Sequence, residues 1–431
     1  MTGNSSVCEA SYTLMASRII QYGLADFFVG DSPNPLTPPA DFTAWHEAAA
    51  SVVTLYEPKI HGAAMPRVLM DVDGELRSVI NFSSYNYLGL SKHPDTIAAA
   101  QAALLEYGTG ACGSPVLGGM TDLHAKFAEE MTRFLGTEST ILYSSGYVAA
   151  LATLSALLRR GDIAIADSKM HMSAIDGVRL SGAKLATFEH NDPQSLAQCL
   201  DRHKDKRRLV LLEGLYPMDG DLPRLPELLD VADSYGVGVL LDEAHSILTC
   251  GPRGAGTAEH FGVGSRIGLK YTSLAESFAA LGGSVSGSQK TIDYVRAYGN
   301  GYLFSVGLPP PVLASLSAAL KVAETGANLR ETLWSNGQYL RAKLNEIGVD
   351  TGSSTTFIVP IMVGSDRQLL YDLCHKMRRR GLFLPPIDYP CVQDHQLRFR
   401  ATVTAMHTKE DLDEALNIIE DTVVGAIGKR I

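Results

Sequence analysis

The chain has 431 residues, long enough for a large core and two packed domains, and its 45% hydrophobic and 19% charged residues are the balance of an ordinary soluble globular protein. A formal net charge of −10, with basic residues gathered only in short pieces such as 204–208 and 378–380, argues against nucleic acid as a partner. The six cysteines are scattered, with no Cys-x-x-Cys pair and no His/Cys cluster of metal spacing, and the longest apolar run, VAALATLSALL from Val148, is too short to span a bilayer. No secretory signal opens the chain, so reduced thiols in a cytoplasmic protein without a metal or membrane partner are expected.

Residues 1–80 read as an arm that passes through the Pro-rich DSPNPLTPPA and ends in a hairpin, two β-rich runs flanking the turn DVDGE. A helix follows from near Pro94 to Tyr107, and TDLHAKFAEEMTRFL has apolar residues at helical spacing. From there short strands (ILYSS, DIAIAD, AKLATFEH, LVLLEG, VGVLLDEAH, IGLKYTS) alternate with helices, GYVAALATLSALL among them. That alternation predicts an α/β domain over 81–310, a mostly parallel sheet covered by helices on both faces, with ligands at the carboxyl ends of the strands. After LPPPVL the pattern becomes a long helix to about Leu344, strand FIVPIMV, helix RQLLYDLCHKMRRRG, strand LRFRATV and a last helix, a smaller α+β domain over 311–431.

Several segments stand in an order that chance rarely gives: NYLGLSKHP, GTGACGSPVLGGMTDLHAKF, KMHMSAIDGVRLSGAK, LLEGLYPMDGDLP, VLLDEAHS, SLAESFAALGG, YLFSVGLPP and RATVTAMHT. Over roughly residues 80–425 the chain resembles the α-oxoamine synthase family of pyridoxal-phosphate (PLP) enzymes, which have an aminotransferase-like fold. The resemblance implies a homodimer that condenses an amino acid with an acyl thioester carried on coenzyme A or a carrier protein. It also assigns roles by position. Asp242 would pair with the cofactor's ring nitrogen, His171 would stack on the ring and His245 would bond its phenolic oxygen. Gly146 and Tyr147 would offer backbone donors to the phosphate at a helix start. Arg400 would grip the substrate carboxylate, with Asn86 and Ser273 completing the substrate-binding set.

One position departs from that family. Its lysine stands six residues before paired glycines, and counting back from Gly282 reaches Glu276; Lys270, the nearest lysine, is six residues earlier still. Pro115, Pro217, Ala255 and Val306 depart as well, so the phosphate site at Gly146 and Tyr147 reads as vestigial. A carboxylate forms no imine, whereas an enolate left by decarboxylation of a malonyl-like unit can be stabilised by hydrogen-bond donors alone. The expectation is therefore a cofactor-independent, decarboxylative Claisen-type condensation of an acyl or aminoacyl thioester. Glu276 would be its acid/base, His171 and His245 would polarise carbonyls, and Asp242 would fix an imidazole. Two alternatives stay open: PLP bound without a covalent link, or a non-catalytic partner of a lysine-bearing paralogue.

Overall fold

The computed structural model describes residues 32–48 and 55–427, so the expected arm lies in part outside the described residues. Strands β1 (Ile60–His61), β2 (Arg67–Val72) and β3 (Glu75–Asn81) come first. Those of the large sheet are β4 (Ser139–Tyr143), β5 (Ile163–Asp167), β6 (Lys184–Phe188), β7 (Arg208–Glu213), β8 (Val239–Asp242), β9 (Leu269–Ser273) and β10 (Gly283–Gly287). Last are β11 (Ile358–Gly364), β12 (Leu382–Phe383), β13 (Pro386–Ile387) and β14 (Leu397–Thr402).

The large sheet runs β4-β10-β9-β8-β7-β5-β6, and β10 pairs antiparallel with both its neighbours while the strands from β9 to β6 pair in parallel. Strands β5, β8 and β9 are buried along their whole length, as strands covered on both faces must be, which is why β5 and β8 are nearly continuous apolar runs, while β9, LKYTS, buries polar side chains as well. The helix Gly146–Leu157 is apolar on every side because it packs against β4, β9 and β10 and against the helices Met172–Ser181 and Gln289–Tyr298.

β10, GSVSG, carries no apolar alternation, and its small residues answer a packing need. A Cβ on Gly283 would come within 2.6 Å of the Ser145 carbonyl oxygen, and Gly282 sits at φ 129°, open to glycine. The expected hairpin forms between β2 and β3, with Asp73 and Gly74 both at positive φ in its turn. Its sheet, β1-β2-β3-β12, takes its last strand from the carboxyl-terminal part of the chain, while β11-β14-β13 form a third sheet. The long helix expected to reach Leu344 is two helices, Pro310–Thr325 and Ala327–Glu346, separated at Gly326. No helix among the described residues is long and apolar enough to cross a membrane.

Candidate active site

Sheet register builds the site. Glu213 at the end of β7 lies beside Asp242 at the end of β8, which lies beside Tyr271 of β9, so one row across the sheet carries two carboxylates and a phenol. Asp242 is 3% exposed, and its Oδ1 accepts the Ala244 N–H at 2.9 Å. Glu213, buried beside it, accepts the His171 N–H at 2.8 Å. Burial raises the pKa of both carboxyls; the charge of Glu213 raises Asp242 further, and the charges of Asp167 and Glu276 raise Glu213.

Glu276 follows β9 in the turn closed by Gly282, where Ala279 takes a positive φ of 54° and the Leu274 N–H donates to the Gly282 carbonyl at 2.9 Å. Burial pushes its pKa up, against the Ser273 hydroxyl and the N–H groups of Glu276 and Ala275, which hold it down. Its Oε2 is buried without a hydrogen-bond partner. The charge of Glu276 adds to the effect of burial in raising the Glu213 and Asp242 carboxyls and the Tyr87 and Tyr271 phenols, so these groups share one electrostatic neighbourhood.

Both expected histidines are held neutral. His245 is buried, with Nδ1 2.7 Å from the Tyr87 hydroxyl, and burial together with the charges of Arg400 and His171 takes its pKa down to about 3. His171 caps the helix Met172–Ser181, Nδ1 lying 2.8 Å from the Ser173 hydroxyl; the residue is exposed, yet desolvation of its ring by the protein around it lowers its pKa. Arg400, on β14, is 5% exposed; Nη2 donates to the Tyr85 hydroxyl at 2.6 Å, the guanidinium lies 5.0 Å from the Tyr85 ring centre, and Nε has no partner. No carboxylate among the described residues pairs with it.

Gly146 opens the helix Gly146–Leu157 behind the N-cap Ser145, whose hydroxyl accepts the Val148 N–H at 3.2 Å. A Cβ on Gly146 would lie 2.6 Å from Ser273 Cβ and 2.9 Å from the Tyr271 hydroxyl, so only glycine lets that helix start approach β9. Tyr147 is 45% exposed and its hydroxyl bonds to Asp176. Asn86, in contrast, spends its amide on its own turn: Nδ2 donates to Ser91 Oγ at 2.8 Å and to the Ala64 carbonyl at 3.3 Å, while Oδ1 accepts the Ser91 N–H. Lys270 is no substitute anchor, for its Nζ donates to the Leu135 carbonyl at 2.8 Å on the face of β9 opposite Tyr271 and Ser273. Pro115 and Val306 both line a separate cavity of about 260 Å³ with His124, Tyr143 and Tyr302. Sequence reasoning missed Glu213, Tyr85 and Tyr87; for Glu213 the signal was its place at the end of LVLLEG, level with the Asp of VLLDEAH.

The profile of the class I and II aminotransferases matches residues 77–419. The chain belongs to that family, in its α-oxoamine synthase branch, and is an acyltransferase of the kind that forms carbon–carbon bonds. It is 38% identical over 346 residues to the 8-amino-7-oxononanoate synthase of Exiguobacterium sibiricum, covering 80% of this chain and 88% of that one. Among solved structures it resembles a lysine-to-alanine variant of the S. paucimobilis serine palmitoyltransferase with a bound PLP–myriocin aldimine (TM-score 0.85, 29% identity, 90% of this chain and 98% of that one). A serine palmitoyltransferase with PLP as internal aldimine fits equally well, with the same TM-score, identity and coverage.

These relatives overturn the cofactor-independent expectation and with it the absence of any cofactor. PLP is held in both solved relatives, and one of them holds its PLP adduct after a lysine has been replaced, so a missing lysine does not by itself remove the group. The physical error was to let one side chain outweigh its surroundings. A buried Asp242 with no cation beside it among the described residues, a helix start cleared by Gly146, and unpartnered atoms on Arg400 and Glu276 together fit a phosphorylated pyridine.

Proposed function

We propose that this protein is an α-oxoamine synthase-type enzyme that binds PLP without a covalent link and joins an amino acid to the acyl group of a thioester. The observation that carries the reading is Asp242, a buried carboxylate at the end of β8 with a backbone N–H on one oxygen and, among the described residues, no cationic side chain to neutralise it. A protonated pyridine nitrogen supplies that charge. When bound, the cofactor is the electron sink for a carbanion at the amino acid's α-carbon.

The chain's own residues do the rest. The N–H groups at the start of the helix Gly146–Leu157 would hold the phosphate, where unpaired donors favour an anion. His171, neutral and exposed, would cover the ring. Neutral His245, tied to Tyr87, would meet the ring's oxygen without adding charge. Arg400 would take the substrate carboxylate on its free Nε, its planar fork already steadied by Tyr85. The acyl donor would be a coenzyme A or carrier-protein thioester, and two copies would form a homodimer.

The test is intact-mass analysis of products after the purified full chain is incubated with amino acids and acyl thioesters, with and without PLP. A condensed product that needs added PLP is expected. Product formed equally well by PLP-stripped protein, or no PLP uptake at all, overturns the reading.

A further inference from the structure

The site holds three carboxylates, Glu213, Asp242 and Glu276, in one electrostatic neighbourhood, and each is accounted for differently. Glu213 is anchored by the His171 N–H, and Asp242 by the Ala244 N–H and, on the reading above, by a pyridine nitrogen. Glu276 keeps a buried oxygen that nothing among the described residues meets. The surrounding groups cannot supply the missing charge. His171 and His245 are neutral, Tyr87 and Tyr271 are phenols held protonated by burial, and Lys270 is bonded to the Leu135 carbonyl on the far face of β9. Arg400, whose charge reaches His245 and Tyr87, is held by Tyr85.

We infer that Glu276 is a receptor for a ligand's ammonium group, so that this pocket prefers the amine-bearing form of the cofactor, pyridoxamine 5′-phosphate, to the aldehyde-bearing PLP. An ammonium donates to the unmet Oε2 and neutralises a carboxylate that burial otherwise penalises, whereas an aldehyde oxygen is a second acceptor facing the first. The same oxygen would receive the amino group of an amino acid whose carboxylate Arg400 holds. The inference rests on the pocket taking a pyridoxal-type ligand at all.

Equilibrium binding to the full chain tests it with three ligands: pyridoxamine 5′-phosphate, PLP, and 4′-deoxypyridoxine 5′-phosphate, which has neither amine nor aldehyde and so cannot form imines with surface lysines. The wild type should bind the amine at least about tenfold more tightly than the deoxy compound, as one charge-assisted hydrogen bond implies, and more tightly than PLP. Glu276→Gln, which keeps the shape, should bring amine and deoxy affinities to within about threefold. Glu276→Lys should reverse the order and favour PLP. If PLP or the deoxy compound binds the wild type as tightly as the amine, or if Glu276→Gln keeps the preference, the ammonium receptor is wrong while the proposed function stands. If none of the three binds, the proposed function falls and takes this inference with it.

Discussion

Two clusters of buried charge lie side by side at the carboxyl ends of the strands, and they are built on opposite principles. In the first, His190 sits between Asp167 and Asp221, at 2.9 Å from one and 3.0 Å from the other, with the edge of Tyr216 against its ring. Asp167 also accepts the N–H groups of Lys169 and Asn191, so the cluster carries its own cation and nearly all its partners, Asp221 Oδ1 and the Tyr216 hydroxyl excepted. The second, Glu213, Asp242 and Glu276, has three acids and no cation of its own. The first is complete as folded and reads as scaffold; the second is incomplete without a ligand. The lesson is that burial and ionisable residues alone do not mark a site, while unmet charge does.

Breaking the complete cluster should have the largest effect. His190→Ala leaves two buried carboxylates unpaired and should cost about 3–5 kcal/mol, read from denaturant midpoints at pH 7. The pH dependence follows the same contrast. Burial lowers the His190 pKa, but its two Asp partners outweigh that and raise it to about 9, so its stabilisation is complete below the ordinary value of 6.5 and is lost as pH rises through about 9. The raised Glu213 and Asp242 carboxyls act in the same direction at lower pH, since their folded forms retain protons that the unfolded chain releases above its ordinary carboxyl pKa. Ligand-free protein should therefore lose stability from pH 5 to pH 9. Glu213→Gln should flatten the lower part of that curve and His190→Ala the upper part. A curve that rises with pH would mean that the acid cluster already has a cation.

Filling the incomplete cluster should produce the next effect. PLP at about one hundred times its dissociation constant should stabilise the wild type by about 2.7 kcal/mol, seen as a raised unfolding midpoint. Asp242→Asn should lose most of that at the same PLP concentration, having lost the partner for a ring cation. A midpoint raised equally in the variant would show that PLP binds elsewhere.

The apolar framework was legible because buried parallel strands announce themselves, as IAIAD and VLLD do, and the helix beginning at Gly146 was readable from its largely apolar run. β10 was not, since Gly and Ser carry no strand signal and GSVSG is a strand only through its pairing with β4 and β9. Of the residues named by resemblance, the Asn86 amide is turned into its own loop, which the sequence could not show. Glu213 stayed hidden because a strand-end acid becomes a site residue only when register sets it beside Asp242. The cofactor was misjudged for a related reason: Glu276 is visible in one dimension, whereas the missing cation around Asp242 appears only in three.

Two smaller effects test the contact between the helix start and β9 and then Glu276 itself. Gly146→Ala would push a methyl to 2.6 Å from Ser273 Cβ, so it should cost about 1–3 kcal/mol and weaken binding of any phosphorylated ligand at that helix start. Retained affinity for PLP in that variant would place the phosphate elsewhere.

Glu276→Gln should give the smallest change in stability, and in the unusual direction. Removing a member of a satisfied cluster exposes a partner, but the Glu276 Oε2 has none to lose among the described residues, and an amide of the same shape removes a carboxylate that burial penalises while keeping one oxygen for the Ser273 hydroxyl and the neighbouring N–H groups. Because its pKa is raised, the wild-type side chain carries its proton at low pH, and the variant should then match it. As pH rises the unfolded wild type releases that proton more readily than the folded one, so the variant should become the more stable protein, by up to about 1 kcal/mol near pH 8. Saturating pyridoxamine 5′-phosphate should erase or reverse this gain, since the wild-type carboxylate then has its ammonium and the variant does not. A variant less stable than wild type at every pH without ligand would mean that the Glu276 Oε2 already has a partner in the folded chain, and the contrast between the two clusters would collapse.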